Sequence, residues 1–142
     1  MATCPGRGRA HHLRMTSARR VVVFLDDDDD LRGLFAELVE NLSGGSCLGV
    51  ASYRELLSRR VEVLASERAI LDVNLGPDEP SGIDAYRWLR GEGFSGPILF
   101  LTGHASTHPL VAEAHRIGDA RVVPKPASPR VLQSMLEWNG QR

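Results

Sequence analysis

Short apolar runs recur along the chain and alternate with segments whose apolar residues have helical spacing. The runs are VVVFL (21–25), CLGVA (47–51), AIL (69–71), ILFL (98–101) and VV (122–123). Runs of this length without polar alternation are typical of strands that are buried on both faces. This feature constrains the fold most strongly, because such strands need a covering layer on each side.

Helical periodicity is clearest after the first run. Apolar residues between Leu31 and Leu42 repeat at intervals of three and four, and the stop signal SGG follows at 43–45. The predicted helices cover residues 31–42, 53–64, 83–89, 110–117 and 131–136. Strict alternation of strand and helix favours parallel strands with right-handed crossovers. We therefore predict an α/β fold with a five-stranded, doubly wound parallel sheet.

Composition limits the classes of function. The 142 residues are 42% apolar and carry a net charge of −1, which predicts one soluble domain without a broad nucleic-acid-binding surface. No apolar run approaches the ~20 residues that a membrane span needs. Cys4 and Cys47 form neither a metal motif nor a disulfide framework. We expect a cytoplasmic protein in which Cys47 is a small core residue.

The first twenty residues differ from the rest of the chain. They contain five arginines and two histidines and show no apolar periodicity, which predicts a disordered basic extension over residues 1–20 before a domain at 21–142. No apolar h-region of a secretory signal is present. A transit peptide, or a start of translation at Met15, remains an alternative.

Polar side chains stand where the predicted strands end. Asp26 and Asp27 follow the first run, Asp72 the third, Thr102 the fourth and Lys125 the fifth. The carboxyl ends of parallel strands converge at one edge of the sheet, where ligands bind. Three carboxylates there would form the hard, oxygen-rich pocket that Mg²⁺ prefers. The sequence therefore predicts a magnesium site at this edge.

The stretch FLDDDDDLR (24–32) places five aspartates in a row. Such crowding of like charges destabilises a fold unless cations or free N–H groups compensate the negative charge. Asp28, Asp29 and Asp30 lie where the first helix begins, so we predict that they cap it. Lys125 is the single lysine among 17 basic side chains. Its compact ammonium suits a tight acidic pocket better than a planar guanidinium does.

Four motifs in this order, VVVFLDDDDDLR, AILDVNL, ILFLTG and VVPKP, resemble the receiver domain of two-component response regulators over about residues 20–138. The resemblance implies a flavodoxin-like (βα)5 fold with strand order 2-1-3-4-5. It also implies a phosphoaspartate switch rather than an enzyme that turns over an external substrate. Phosphotransfer and dephosphorylation would then be catalysed by the domain itself.

The resemblance also implies a role for each site residue. Asp72 would accept the phosphoryl group from a phosphohistidine of a sensor histidine kinase or a histidine phosphotransfer protein. Asp26, Asp27 and Asp72 would hold Mg²⁺ together with the backbone carbonyl of Asn74. Thr102 would hydrogen-bond the phosphoryl group and Lys125 would pair with it.

Several positions depart from the family pattern. Gly82 comes about two residues later than usual after Asp72, and Gly76 stands where a proline is common. Val122 occupies the strand position where many receivers carry a switching aromatic residue, so we expect signalling through movement of residues 102–120. By resemblance, Asn74 and His104 flank the path of an attacking water and would tune the lifetime of the phosphoryl group.

Output is expected through protein contacts. Only residues 126–142 follow Lys125, which predicts a stand-alone receiver, or one excised from a longer chain, without a helix-turn-helix or catalytic output domain. The domain would act as a phosphate shuttle or sink, or dock partners through the face of its fourth helix, fifth strand and fifth helix. Candidate residues on that face are Leu110, Val111, His115, Val122 and Pro124, although the apolar ones among them fit the core equally well.

Three alternatives compete with this interpretation. A haloacid dehalogenase-type phosphatase would use Asp26 as nucleophile, Asp28 as acid/base, Thr102 and Lys125, but it also needs an acidic pair after the lysine, where only Glu137 follows. A phosphorylation-independent interaction module on the same fold is the second. A zinc site at His104, His108 and His115 is the third, although no fourth ligand stands at a suggestive spacing.

Overall fold

The computed structural model describes residues 20–105, 107–125 and 128–140. The strands are β1 (Val21–Leu25), β2 (Ser46–Val50), β3 (Arg68–Asp72), β4 (Ile98–Thr102) and β5 (Ala120–Pro124). The helices are α1 (Asp29–Ser43), α2 (Tyr53–Ser58), α3 (Arg60–Leu64), α4 (Gly82–Gly91), α5 (Pro109–His115) and α6 (Pro129–Glu137). The predicted basic extension lies, except for Arg20, outside the described residues.

All five strands are parallel and their order is β2-β1-β3-β4-β5. This confirms the predicted doubly wound, flavodoxin-like α/β fold. The β1 residues Val23 and Leu25 face a core covered by α2, α3, α4 and α5, whereas Val22 and Phe24 face a second core under α1 and α6. Because the sheet is covered on both faces, its strands read as continuous apolar runs.

The second predicted helix is interrupted. Residues 53–64 form two short helices that meet at Arg59, whose φ of −106° and ψ of 31° lie outside the helical region. Leu56 and Val63 are nevertheless both buried against the same core. The helical spacing of apolar residues continues across Arg59, so nothing in the pattern marks the break. For this reason the sequence predicted a single helix.

A buried arginine fastens α6 to the sheet. Arg68, at the start of β3, is 6% exposed and donates hydrogen bonds to the carbonyl oxygens of Met135 (2.9 Å) and Trp138 (2.5 Å). These carbonyls lie in the last turn of α6 and just after it, where backbone acceptors commonly take partners from outside the helix. The guanidinium therefore holds the end of α6 against the edge of the sheet opposite to the acidic strand ends.

Cys47 is half-buried against the core under α1 and α6, and burial raises the pKa of its thiol to about 11. Such a thiol stays protonated at neutral pH and unreactive, which suits the small packing residue that we predicted. None of the described helices has the length and apolar character of a membrane span.

Candidate functional site at the carboxyl edge of the sheet

Asp26 is the buried centre of the site. Its side chain, directly after β1, has no solvent exposure. One carboxylate oxygen (Oδ1) accepts from the backbone N–H of Asp28 at 2.9 Å, and the other (Oδ2) accepts from Lys125 Nζ at 2.9 Å. The carboxylate is therefore fixed from two sides, as a buried charge must be.

Lys125 joins the ends of three strands. Its backbone N–H donates to the carbonyl oxygen of Thr102 at 2.7 Å, and its Nζ also lies 3.4 Å from Asp72 Oδ2. Burial lowers the pKa of Lys125, but the hydrogen bond to Asp26 and the charges of Asp72 and Asp26 outweigh burial, so that the pKa is raised. The ammonium thus remains charged between two carboxylates.

Asp72 ends β3 and is only 5% exposed. Burial, and then the charge of Asp26, raise its pKa to about 7, although Lys125 and a backbone hydrogen bond from Asn74 act in the opposite direction. The carboxyl group is therefore held in an environment where a further positive charge would stabilise its ionised form.

Asp26, Asp27 and Asp72 place one oxygen each within 4.8 Å of one another, and they are the only such group of three or more potential ligands among the described residues. Asp27 is exposed, so the group opens to solvent on one side. Three carboxyl groups therefore lie close together beside one ammonium, and a bound cation would offset their negative charge. Their hard oxygen atoms and the open side fit Mg²⁺, which retains several waters when it binds.

Of the three aspartates predicted to cap α1, only Asp28 does so through its side chain, whereas Asp29 and Asp30 lie in the first turn near the positive end of the helix dipole. Asp28 caps α1, its Oδ1 accepting from the backbone N–H groups of Asp30 (3.0 Å) and Leu31 (3.1 Å). Asp29 pairs with Arg32 in the first turns of the helix. Because the Asp28 carboxylate is engaged in the cap, it is poorly placed for the acid/base role that a phosphatase would require.

Thr102 stands at the end of β4 and is 4% exposed. Its hydroxyl oxygen accepts from the backbone N–H of His104 at 3.0 Å. Asn74 Nδ2 lies 3.2 Å from His104 Nε2, while Asn74 Oδ1 accepts from the N–H of Gly76 at 3.0 Å. The two residues predicted to flank the attacking water therefore contact each other across the mouth of the site.

A side chain is excluded at Gly82 but would fit at Gly103. A Cβ at Gly103 would lie 3.7 Å from Lys125 Cδ, whereas one at Gly82 would collide with the carbonyl oxygen of Asp72. Gly82 also donates a hydrogen bond to the carbonyl oxygen of Val73 at 2.9 Å, so α4 begins directly against the end of β3.

The longer loop after Asp72 is accommodated by two left-handed residues, Gly76 (φ 117°) and Asp78 (φ 63°). Glycine adopts this region freely, and aspartate tolerates it better than most residues do. The late position of Gly82 in sequence therefore leaves its contact with β3 intact.

The candidate output residues divide between core and surface. Val111 is 1% exposed and belongs to the core, and Leu110 and Val122 pack against it. Only His115 and Pro124 are exposed. The structure therefore decides for the core alternative at Val111, because the apolar spacing on α5 points its side chain at the sheet.

His104, His108 and His115 do not form a zinc site. The rings of His104 and His108 are 4.8 Å apart, but no group of three ligands among the described residues contains a histidine. His108 instead caps α5, its Nδ1 accepting from the N–H of Leu110 at 3.2 Å.

Sequence reasoning missed Arg32, whose Nη1 donates to the backbone carbonyl oxygen of Asp26 at 2.7 Å. Its spacing of three residues from Asp29 is that of a helical ion pair and was the one local signal available. Its contact with the site depends on how α1 packs on the sheet, and no local pattern reports that.

The fold and site together define an α/β domain with a doubly wound sheet whose carboxyl edge holds an acidic cluster, a lysine and a threonine. The family model of the response regulator receiver domain matches residues 22–137. The chain therefore belongs to the response regulator receiver domain family. No curated protein sequence matches it significantly.

Solved structures agree with this assignment. The chain is similar to the chemotaxis protein CheY4 of Vibrio cholerae, with 26% identity, a TM-score of 0.67 and coverage of 84% of this chain and 98% of that chain. It also resembles the receiver domain of NtrX from Brucella abortus, with 19% identity, a TM-score of 0.68 and coverage of 82% and 94%. A response regulator receiver domain protein of Clostridium thermocellum has 19% identity, a TM-score of 0.68 and coverage of 83% and 91%.

Proposed function

We propose that this receiver domain takes a phosphoryl group onto the carboxylate of Asp72. The donor is a phosphohistidine of a sensor histidine kinase or of a histidine phosphotransfer protein. The observation that carries the proposal is the position of Lys125 Nζ, 2.9 Å from Asp26 and 3.4 Å from Asp72, at a strand edge that also holds the buried Thr102.

The residues around Asp72 suit in-line phosphoryl transfer. A carboxylate oxygen of Asp72 forms the new bond to phosphorus as the P–N bond to the donor imidazole breaks, and the bonding electron pair stays on that nitrogen. Mg²⁺, held by Asp26, Asp27, Asp72 and the Asn74 carbonyl, would supply positive charge to the phosphoryl oxygens. Lys125 pairs with one phosphoryl oxygen, and the Thr102 hydroxyl turns from His104 N–H to donate to another.

The reaction is a single self-catalysed event per phosphoryl group. Water later attacks phosphorus, releases inorganic phosphate and restores the Asp72 carboxylate. The domain accordingly acts as a cytoplasmic signalling switch, shuttle or sink and turns over no separate substrate. Output occurs through a protein partner at the face formed by α5, β5 and α6, where His115 and Pro124 are exposed.

The test is phosphorylation with a small phosphodonor, acetyl phosphate, with Mg²⁺ or with EDTA, followed by intact-mass analysis. We expect one Mg²⁺-dependent phosphoryl group, which Asp72→Asn abolishes and Asp28→Asn leaves in place. The opposite pattern would support the phosphatase alternative. An unlabelled but folded wild-type chain would support a phosphorylation-independent interaction module. Phosphotransfer from the histidine kinases of the source organism then identifies the donor.

A further inference from the structure

Arg32 reaches from α1 back to the acidic strand end. Its Nη1 donates to the backbone carbonyl oxygen of Asp26 at 2.7 Å, and its Nη2 pairs with the carboxylate of Asp29. The Arg32 side chain is 21% exposed, whereas that of Asp29 is 86% exposed. The guanidinium thus lies between the buried site and the solvent-facing start of the helix.

The path of the Arg32 side chain depends on Gly49 of β2. A Cβ at Gly49 would lie 3.4 Å from Arg32 Cδ and 3.8 Å from Arg32 Cβ, so the aliphatic part of Arg32 lies against the bare backbone of this strand. A Cβ alone would fit at contact distance, but a branched side chain at position 49 adds atoms beyond Cβ and would displace the Arg32 side chain without removing its charge. The chain therefore offers two independent ways to disturb the same contact.

The contact with Arg32 completes the bonding of Asp26. The backbone N–H of Asp26 donates to Val50 at 3.1 Å, and its two carboxylate oxygens accept from Asp28 N–H and Lys125 Nζ, both at 2.9 Å. Arg32 supplies the partner of the remaining polar atom, the carbonyl oxygen. Each polar atom of this fully buried residue thus has a different residue as its partner.

We propose that Arg32 is a positioning residue for the metal site. By holding the Asp26 carbonyl and the Asp29 carboxylate together, it fixes the turn between β1 and α1, so that Asp26 and Asp27 face Asp72 while Asp29 faces solvent. Arg32 touches neither the donor nor the phosphoryl group. The inference deepens the proposed function, because it rests on Asp26 and Asp27 as ligands of Mg²⁺.

A positioning role and a simple charge effect of Arg32 predict opposite changes in Mg²⁺ affinity. A guanidinium close to a metal site repels the cation, so a charge effect alone would make Mg²⁺ bind more tightly to Arg32→Met and equally well to Arg32→Lys. A positioning role predicts weaker binding in both variants, because an ammonium cannot bridge the carbonyl and the carboxylate as the planar guanidinium does. Gly49→Val keeps the charge and should also weaken binding.

The experiment is calorimetric titration of the full chain with MgCl₂. Loss of residues that orient metal ligands typically weakens metal binding 10–100-fold, and we expect about tenfold for Arg32→Met and a smaller loss for Arg32→Lys and Gly49→Val. The matched control is Arg59→Met. Arg59 forms a comparable pair with Glu62 three residues on, at 2.8 Å and away from the site, so its loss should leave the Mg²⁺ affinity unchanged.

A second measurement needs no metal. The Asp28 N–H donates to Asp26 Oδ1, so its hydrogen exchange in EDTA reports the order of the turn. We expect at least fivefold faster exchange of this amide in Arg32→Met and Arg32→Lys, and no change in Arg59→Met. Unchanged Asp28 exchange together with unchanged or tighter Mg²⁺ binding in the Arg32 variants would overturn the proposal.

The two measurements separate this proposal from the proposed function. If wild-type Asp72 is not phosphorylated although Mg²⁺ binds and the Arg32 variants bind it more weakly, the proposed function fails and the positioning role stands. If Asp72 is phosphorylated normally and the Arg32 variants match the wild type in both measurements, only the positioning role fails.

Discussion

Lys125 donates a hydrogen bond of 2.9 Å to the carboxylate of Asp26, from which it is separated by 99 positions in sequence. The bond closes the carboxyl edge of the sheet between β1 and β5, the first and last strands of the chain. Asp72 lies between them on β3, 3.4 Å from the same ammonium. A change of charge on Asp72 therefore acts directly on the residue that ties these strands together.

Replacing Lys125 should destabilise the metal-free protein and make it depend on Mg²⁺. Lys125→Met leaves the buried Asp26 and Asp72 carboxylates without their cation. Since the lysine side chain is 24% exposed, we expect a loss of about 1–3 kcal/mol in the free energy of unfolding, below the value for a fully buried pair. Urea unfolding in EDTA measures the loss.

Added Mg²⁺ should recover much of that loss in the folded variant. The control is Arg60→Met, which removes the exposed ion pair of Arg60 with Glu92 and should change stability little. Equal losses in Lys125→Met with and without Mg²⁺ would contradict the prediction.

The stability of the metal-free protein should fall as the pH rises towards 7. Burial raises the pKa of Asp72 from 3.8 to about 7, so between these values the unfolded chain releases this proton and the folded chain retains it. The unfolded state therefore binds fewer protons, and the contribution of Asp72 to the free energy of unfolding decreases with increasing pH. Urea unfolding in EDTA at about pH 5 and about pH 8, compared with Asp72→Asn, isolates this contribution.

Mg²⁺ should bind more tightly as the pH rises through about 7, because the cation competes with the Asp72 proton.

The stability prediction fails if Asp72→Asn shows the same difference in the free energy of unfolding between the two pH values as the wild type. Asp72 would then not be the source of that difference.

Gly82→Ala should destabilise the fold at the site itself. The added Cβ collides with the backbone oxygen of Asp72, and backbone atoms yield less easily than the end of a flexible side chain. We expect a loss of about 1–3 kcal/mol, the usual cost of overpacking, measured by chemical denaturation. Gly91→Ala is the matched control. It lies in the same helix with open space at its Cβ position and should instead be neutral or stabilising by up to about 1 kcal/mol.

Breaking the contact between Asn74 and His104 should shorten the life of the phosphorylated state. The two side chains meet 3.2 Å apart at the mouth of the site, so Asn74→Ala or His104→Ala opens a path for water to Asp72. We expect several-fold faster loss of the phosphoryl group in each single variant. The double variant should lose it no faster than the faster single variant, because both substitutions remove the same contact between the two side chains. His115→Ala is the control, and unchanged lifetimes in both single variants would refute the assignment.

Phosphorylation should change the conformation of the segment after Thr102. Val122 packs against the core and carries no aromatic ring that could switch, so we expect the change to pass through residues 102–105 and 107–120. His104 N–H is bonded to the Thr102 hydroxyl at 3.0 Å and should move when Thr102 turns. Amide chemical shifts with and without beryllofluoride test this, and an unperturbed segment would exclude this route.

Local patterns in the sequence determined much of the architecture. The five apolar runs and the helical periods predicted the number of strands and the doubly wound arrangement, since strands covered on both faces are mainly apolar in their middle positions. The position of Asp26, Asp72, Thr102 and Lys125 at strand ends followed from the same reasoning, because parallel strands bring their carboxyl ends to one edge. The cap at Asp28 was also predicted, since capping depends on neighbouring residues alone.

Only the tertiary structure decided the remaining features. The break at Arg59, the burial of Val111, the contact of Arg32 with the Asp26 carbonyl and the anchoring of α6 by Arg68 all depend on how an element packs on the sheet. The pKa of Asp72 is likewise set by burial and by charges from distant strands. A pattern along the chain predicts which residues are buried. The distances between side chains are set only when the helices and strands pack together.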